Sequence, residues 1–257
     1  MDGKPSGEKK MKAFRFFAGV MIILVAAIVS FSAATESYAE EKAWSEQAEV
    51  AFVDTGGNTD VTTLSAKSTL KYLFSERLSG TWKFLSLYGK SDGESSAENY
   101  STEFRVDFLC TKKLYSFVNA GWLKDRFGGI DSRYYLDAGA GYKFLLGPKH
   151  FLLGEISPNY TIEEYTDGGD SEYLGVRAFS QYEYVFGGKN KFTQSLEYLA
   201  DLSDSQNWRL NSETAVISAL NSFLSLKSSY VVKYDNQPFE DLDDTDTILG
   251  VSLIVNF

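Results

Sequence analysis

The chain has one cysteine and one histidine among 257 residues. With Cys110 alone there is no internal disulfide framework. With His150 alone there is no histidine cluster for a metal and no His–His relay. Proline is scarce, at four residues, while glycine is common, at 21, as expected for a sheet with tight turns. Positive charge is also in deficit. The formal net charge of −10 argues against nucleic acid as a partner. Hydrophobic residues make up only 44%, well short of a helical membrane protein. A membrane β-barrel hides its signal, because half of every strand is polar. Aromatics are abundant instead, at 15%. That is high for a soluble domain and expected of a barrel with two interfacial girdles.

The N-terminal segment reads as an address. Lys9, Lys10, Lys12 and Arg15 form a basic region, Phe16 to Phe31 is almost wholly apolar, and Ser37-Tyr38-Ala39 fits a small-x-small cleavage site. This predicts a secretory signal peptide over residues 1–39 and a mature domain over 40–257. Met11 is an alternative start, since nothing before it is needed by such a signal. An uncleaved anchor is the competing reading, because the apolar run is slightly long for a signal core. Removing five basic and three acidic residues takes the net charge from −10 to about −12.

The most informative stretch is Asp246 to Phe257. Leu249, Val251, Leu253, Val255 and Phe257 recur with period two, the side-chain repeat of a strand. An apolar face ending on an aromatic suits the closing strand of an outer-membrane barrel, and this face is the expected recognition element for barrel insertion. The same alternation recurs upstream. Ala48, Val50 and Phe52 share a face, as do Leu64, Ala66, Leu70, Tyr72 and Phe74. In a fourth strand from Tyr100 to Cys110, Thr102, Phe104, Val106 and Phe108 face one way, and Glu103, Arg105 and Asp107 the other. The fifth strand is ambiguous, because Tyr115 and Phe117 compete with Val118, Ala120 and Trp122. Pro158 predicts a bulge or bend in the seventh strand.

Twelve strands are expected, joined by short turns at Ser75–Arg77, Thr111–Lys113, Gly147–Lys149, Gly187–Lys191 and Leu220–Ser222. The alternating connections, such as Ser91–Asn99 and Asp125–Arg133, read as longer, acidic outer loops. The expected fold is therefore all-β: a transmembrane, antiparallel, up-and-down β-barrel of about twelve strands in the bacterial outer membrane. A soluble β-sandwich or a soluble periplasmic barrel that binds a ligand is the alternative class. Predicted outward aromatics sorted into two heights favour the membrane.

Gly57-Asn58-Thr59-Asp60, Asp125 to Arg133, Gly139-Ala140-Gly141-Tyr142 and Asp244-Thr245-Asp246-Thr247 up to Phe257 carry a resemblance. Over most of the mature chain, and in the same order, the sequence resembles the salt-induced outer membrane protein (YdiY-like) family. That family has no assigned biochemical activity. The resemblance implies a barrel and the outer membrane, and neither a substrate nor catalytic residues.

The predicted inner wall carries both signs: Lys67, Lys71, Glu103, Arg105, Asp107, Asp137, Lys143, Glu155, Arg177, Glu183, Glu197, Arg209, Glu213, Lys227 and Lys233. Such a lining either filters solutes or fills a narrow barrel with cross-strand ion pairs. Twelve strands give a backbone diameter of about 24 Å, which long side chains would largely close. Near-balanced charge favours pairing, hence a structural or stress-related barrel with at most a narrow pore. A porin-like channel for ions and small solutes is the alternative. Asp125, Arg126, Asp131 and Arg133 are expected on one outer loop, held by their own Asp–Arg pairs. The acidic run Asp235, Glu240, Asp241, Asp243, Asp244 and Asp246 lacks the spacing of a calcium loop. An enzyme is not expected, since His150 falls at a turn away from any cleft. No cofactor is expected. The expected partners are outer-membrane lipid, the barrel assembly machinery, and small solutes or ions.

Overall fold

A computed structural model describes residues 43–56, 61–91, 94–126, 128–239 and 242–257. The signal-like segment 1–39, the turn 57–60, Phe127, Glu240 and Asp241 lie outside them. Twelve strands follow in order: β1 (Trp44–Gly56), β2 (Val61–Leu73), β3 (Leu78–Ser91), β4 (Glu94–Leu109), β5 (Leu114–Asp125), β6 (Ile130–Leu146), β7 (His150–Tyr165), β8 (Asp170–Phe186), β9 (Asn190–Asp201), β10 (Trp208–Ala219), β11 (Leu224–Asp235) and β12 (Thr245–Asn256). Each pairs with its sequence neighbours, and β12 returns to β1 through Ala48↔Val255, Val50↔Leu253 and their neighbours. Closure leaves no free sheet edge.

Alternation decides which side chain faces where. Val50, Leu64, Ile156, Leu174 and Leu249 point out and are exposed, while Glu49, Ser65, Glu155 and Ser252 are buried inside. This inverts a soluble protein and matches a barrel in lipid, apolar outside and polar within. Aromatics gather at the rims. Tyr142 lies 5.2 Å from Phe144, and His150 stacks 4.9 Å from Tyr184, beside the short turns of the lower rim. At the upper rim Trp208 packs 5.8 Å from Tyr198 and 5.0 Å from Tyr234. A polar amide on the outer face, Gln194, is satisfied locally. It donates to Ser212 and to the Ser195 carbonyl, both at 2.9 Å, and accepts from Thr214 at 2.5 Å, so no polar atom of that amide is left to lipid.

Three expectations are corrected. The stretch Ser91–Asn99 is not a long loop: β3 reaches Ser91 and β4 starts at Glu94, with a register shift at Gly89/Lys90. Strand residues that rise above an apolar belt need no outward apolar set, so their composition reads as loop. Pro158 causes no bulge. The β6–β7 ladder lapses between Asp137↔Asn159 and Ala140↔Ile156 and resumes in step, while Pro158↔Val176 stays paired on the β8 side. The missing N–H therefore removes bonds to one neighbour without displacing the strand. Thirdly, Asp125–Arg133 is mostly strand, since only residues 126–129 separate β5 from β6.

The ambiguous fifth strand resolves with Tyr115, Phe117 and Asn119 buried inside. Glycines on the partner strand make room for its aromatics. Gly141 stands opposite Tyr115 and Gly121 opposite Tyr135. A Cβ at either glycine would sit 2.2 Å from the facing tyrosine ring, so only glycine lets these rings lie along the wall. Both hydroxyls thereby reach into the lumen.

Candidate functional site

Among the described residues the lumen is the candidate site, and three cavities lie along it. The lower, of about 520 Å³, opens beside Arg77, Lys143 and Phe151. The middle, of about 230 Å³, lies among β4 to β10. The upper, of about 310 Å³, lies under the β11–β12 connection. Glu103, Asn119, Arg177 and Glu197 line both the lower and middle cavities and so stand between them. Leu123, Arg133, Leu199, Arg209 and Asn211 stand between the middle and the upper.

The lower constriction is an ion-pair network. Arg105 donates two bonds to Glu155, at 2.7 and 3.1 Å, and two to Asp107, at 2.7 and 2.9 Å. Its guanidinium lies 4.1 Å from the Phe117 ring. Tyr115 donates to Glu155 at 2.6 Å, which is what Gly141 makes room for. Arg177 then bridges, donating to Glu155 at 3.1 Å and to Glu197 at 2.6 Å. Lys83 pairs with Glu103 at 2.8 Å, and Tyr135 donates to the same carboxylate at 3.0 Å. Asn119 donates to both Glu103 and Asp137 at 3.2 Å.

The upper constriction centres on Glu163, 0% exposed. It accepts from Arg133 at 2.5 Å, from Arg209 at 2.8 and 3.3 Å, and from Tyr165 and Tyr173 at 3.1 Å each. Arg209 also donates to Asp235 at 2.8 Å. On the opposite wall Lys227 bridges Glu213 at 2.7 Å and Glu49 at 3.5 Å, and Lys67 reaches Glu49 at 3.8 Å. Above, the β11–β12 connection lies over the mouth. The Phe239 ring meets Tyr165 edge-on at 4.6 Å and covers Gly129, whose φ of +78° and lack of Cβ both admit it.

The sequence-predicted lumen residues are thus brought into particular partnerships. Glu103, Arg105, Asp107 and Arg177 build the lower constriction, and Asp137 lines the middle cavity. Lys143 lies 5.6 Å from the Tyr115 ring, Glu183 pairs with Lys191 at 3.2 Å, and Glu213 belongs to the opposite wall. Sequence reasoning missed Glu49, Lys83 and Glu163 as lumen charges. The presumed self-paired loop is corrected as well. Arg133 goes to Glu163, Asp131 to Lys124 at 3.2 Å, Arg126 to Glu98 at 3.5 Å, and Asp125 to Lys233 at 3.7 Å. Residues 130–133 continue as strand, so their side chains meet neighbours across the sheet rather than within a loop. His150 lies on the outer face, its Nδ1 2.8 Å from the Tyr182 hydroxyl.

The face of β12 that carries Leu249, Val251, Leu253 and Val255 points outward beside β1, and the Phe257 amide donates to the Glu46 carbonyl at 2.9 Å.

Comparison with known proteins agrees with this architecture. The fold is similar to the NanC porin, with a TM-score of 0.58 at 7% identity over 81% of this chain and 98% of that one. It is similar to an outer membrane channel from Pseudomonas putida F1, with a TM-score of 0.56 at 11% identity over 87% and 99%. It also resembles the translocator domain of the autotransporter NalP from Neisseria meningitidis, with a TM-score of 0.51 at 10% identity over 97% and 98%. In sequence it is 32% identical over 199 residues, 77% of each chain, to the uncharacterized protein YdiY of Escherichia coli (strain K12). Residues 48–257 match the family described as "Protein of unknown function, DUF481", and the chain belongs to that family.

Proposed function

We propose that this protein is an integral barrel of the bacterial outer membrane, its lower rim periplasmic, whose lumen serves at most as a narrow passage for ions and small solutes. The observation that carries this is Arg177, which spans from Glu155 to Glu197 where the lower and middle cavities meet. A wide porin leaves its wall charges solvated for filtering. Here both constrictions are lined by mutually paired charges, which tie the wall together across the lumen and narrow it. The solved relatives named porin and channel support a passage in principle. The only histidine is engaged on the outer face, which supports a non-enzymatic role.

Planar-bilayer recording tests the reading. The wild type should show little steady conductance. Arg177→Ala takes a partner from two carboxylates and clears the lower constriction. It should raise conductance and lower resistance to unfolding together. A large steady wild-type conductance, with Arg177→Ala changing selectivity but not stability, would make this a porin instead.

On the same reading, the β12 face Leu249, Val251, Leu253, Val255 and Phe257 is what the assembly machinery engages. Phe257→Ala should reduce the protein recovered in outer-membrane fractions several-fold while export stays intact. Undiminished recovery would count against that role.

A further inference from the structure

We infer that the middle cavity is a binding site for a monovalent cation, held on Asp137 and Asn119. Asp137 is 1% exposed and Asn119 is 4% exposed. They stand directly opposite each other on β6 and β5. The Asn119 amide nitrogen is spent on two carboxylates, Glu103 and Asp137, which fixes the orientation of the amide. That Oδ1 and the Asp137 Oδ1 have no hydrogen-bond partner. Asn159, next in the same row on β7, also has an oxygen without a donor. The row is therefore rich in acceptors and short of donors.

Charge points the same way. Among the described residues no cationic side chain lies within ion-pair distance of Asp137, and the nearby cations are committed elsewhere. Lys83 is on Glu103, Arg177 on Glu155 and Glu197, and Arg133 and Arg209 on Glu163. Arg105 and Arg177 share the carboxylates of Asp107, Glu155 and Glu197, while Lys83 holds Glu103, to which Asn119 adds Asp137. In each group the carboxylates outnumber the cations. Water can satisfy the orphan acceptors, and a buried carboxylate with no cationic partner is neutralised either by a proton or by a bound cation, which the salt dependence separates.

The middle cavity, of about 230 Å³, accommodates a cation with several waters, each taking roughly 30 Å³. All-oxygen donors suit a hard cation. Among the described residues no group of three acidic, histidine or cysteine side chains could hold a metal ion. A single carboxylate flanked by amide oxygens therefore fits a single positive charge, an alkali ion or ammonium.

The inference deepens the passage reading by naming what the lumen favours, and it is tested without conductance. Purified wild-type barrel and Asp137→Asn are unfolded thermally in NaCl, KCl, ammonium chloride or choline chloride at matched ionic strength. The wild type should gain a saturable upward shift in Tm with sodium, potassium or ammonium and not with the bulky choline. Which small cation acts at the lowest concentration separates an alkali site from an ammonium site. Asp137→Asn should lose most of the shift. Should that variant fail to fold, sodium-23 NMR of the wild type decides, through line broadening that potassium reverses. Equal shifts in choline, no shift in any salt, a shift retained by Asp137→Asn, or no broadening would each overturn the site. A barrel that binds sodium yet passes no current would leave the site standing within a closed lumen, whereas one that conducts and binds no small cation would overturn the site and leave the passage standing.

Discussion

Replacing Glu163 by Ala is expected to weaken the barrel by about 3–5 kcal/mol, the usual cost of breaking a buried ion pair from one side. Its carboxylate is fully buried and collects two guanidinium groups and two tyrosine hydroxyls. Arg209 would keep Asp235, but among the described residues Arg133 would be left with no ion-pair partner. Glu163→Gln keeps the shape and one acceptor oxygen while removing the charge, so it should fall between wild type and Ala. Urea unfolding, followed by the gel shift of the heat-denatured barrel, measures the difference. If Gln and Ala cost the same, the loss is that of the charge, because Gln keeps the shape. If both cost under about 1 kcal/mol, water screens the upper constriction as it screens a surface pair, and the lumen is wetter than its geometry implies.

Glu163 also shows where sequence reading stops. Period two from Glu155 through Ser157, Asn159 and Thr161 places it inside, so the facing was legible. Its position beside Glu164, at the approach to an acidic turn, makes it look solvated. Strand number, short turns and facing rest on local alternation, which a single sequence displays. Partnerships across the lumen do not. Arg105 on β4 meets Glu155 on β7, and Lys227 on β11 meets Glu49 on β1, neither pair on adjacent strands. Such contacts depend on the curvature of the closed wall and on side-chain reach, and ladder register encodes neither.

The facing of the fifth strand is open in the sequence for a related reason. Tyr115 and Phe117 are apolar enough to face lipid, and nothing within their own strand says otherwise. Glycines at 139 and 141, on β6, make the inward choice possible, so the signal lies in the pair of strands. Residues 94–99 and 130–133 carry no apolar set of period two, so the sequence alone does not mark them as strand.

The outer face invites a second large effect, at the centre of β9. Leu196 and Ser195 are the middle residues of that strand and point to opposite sides. Leu196 lies outward, 42% exposed, while Ser195 stands opposite Gln181 and Glu213. Leu196→Arg puts a guanidinium toward hydrocarbon near mid-depth, at a cost of about 2–4 kcal/mol. Ser195→Arg adds the same side chain one residue away, beside Glu213, which already accepts from Lys227. It should cost well under half as much, provided water or that carboxylate can take up the charge. Folding each variant into vesicles of matched lipid and unfolding it in guanidinium compares the two directly. A penalty at Ser195 as large as at Leu196 would mean that this part of the lumen is dry and filled. The passage would then be closed along β9 as well as at its two constrictions, and the barrel would be structural outright.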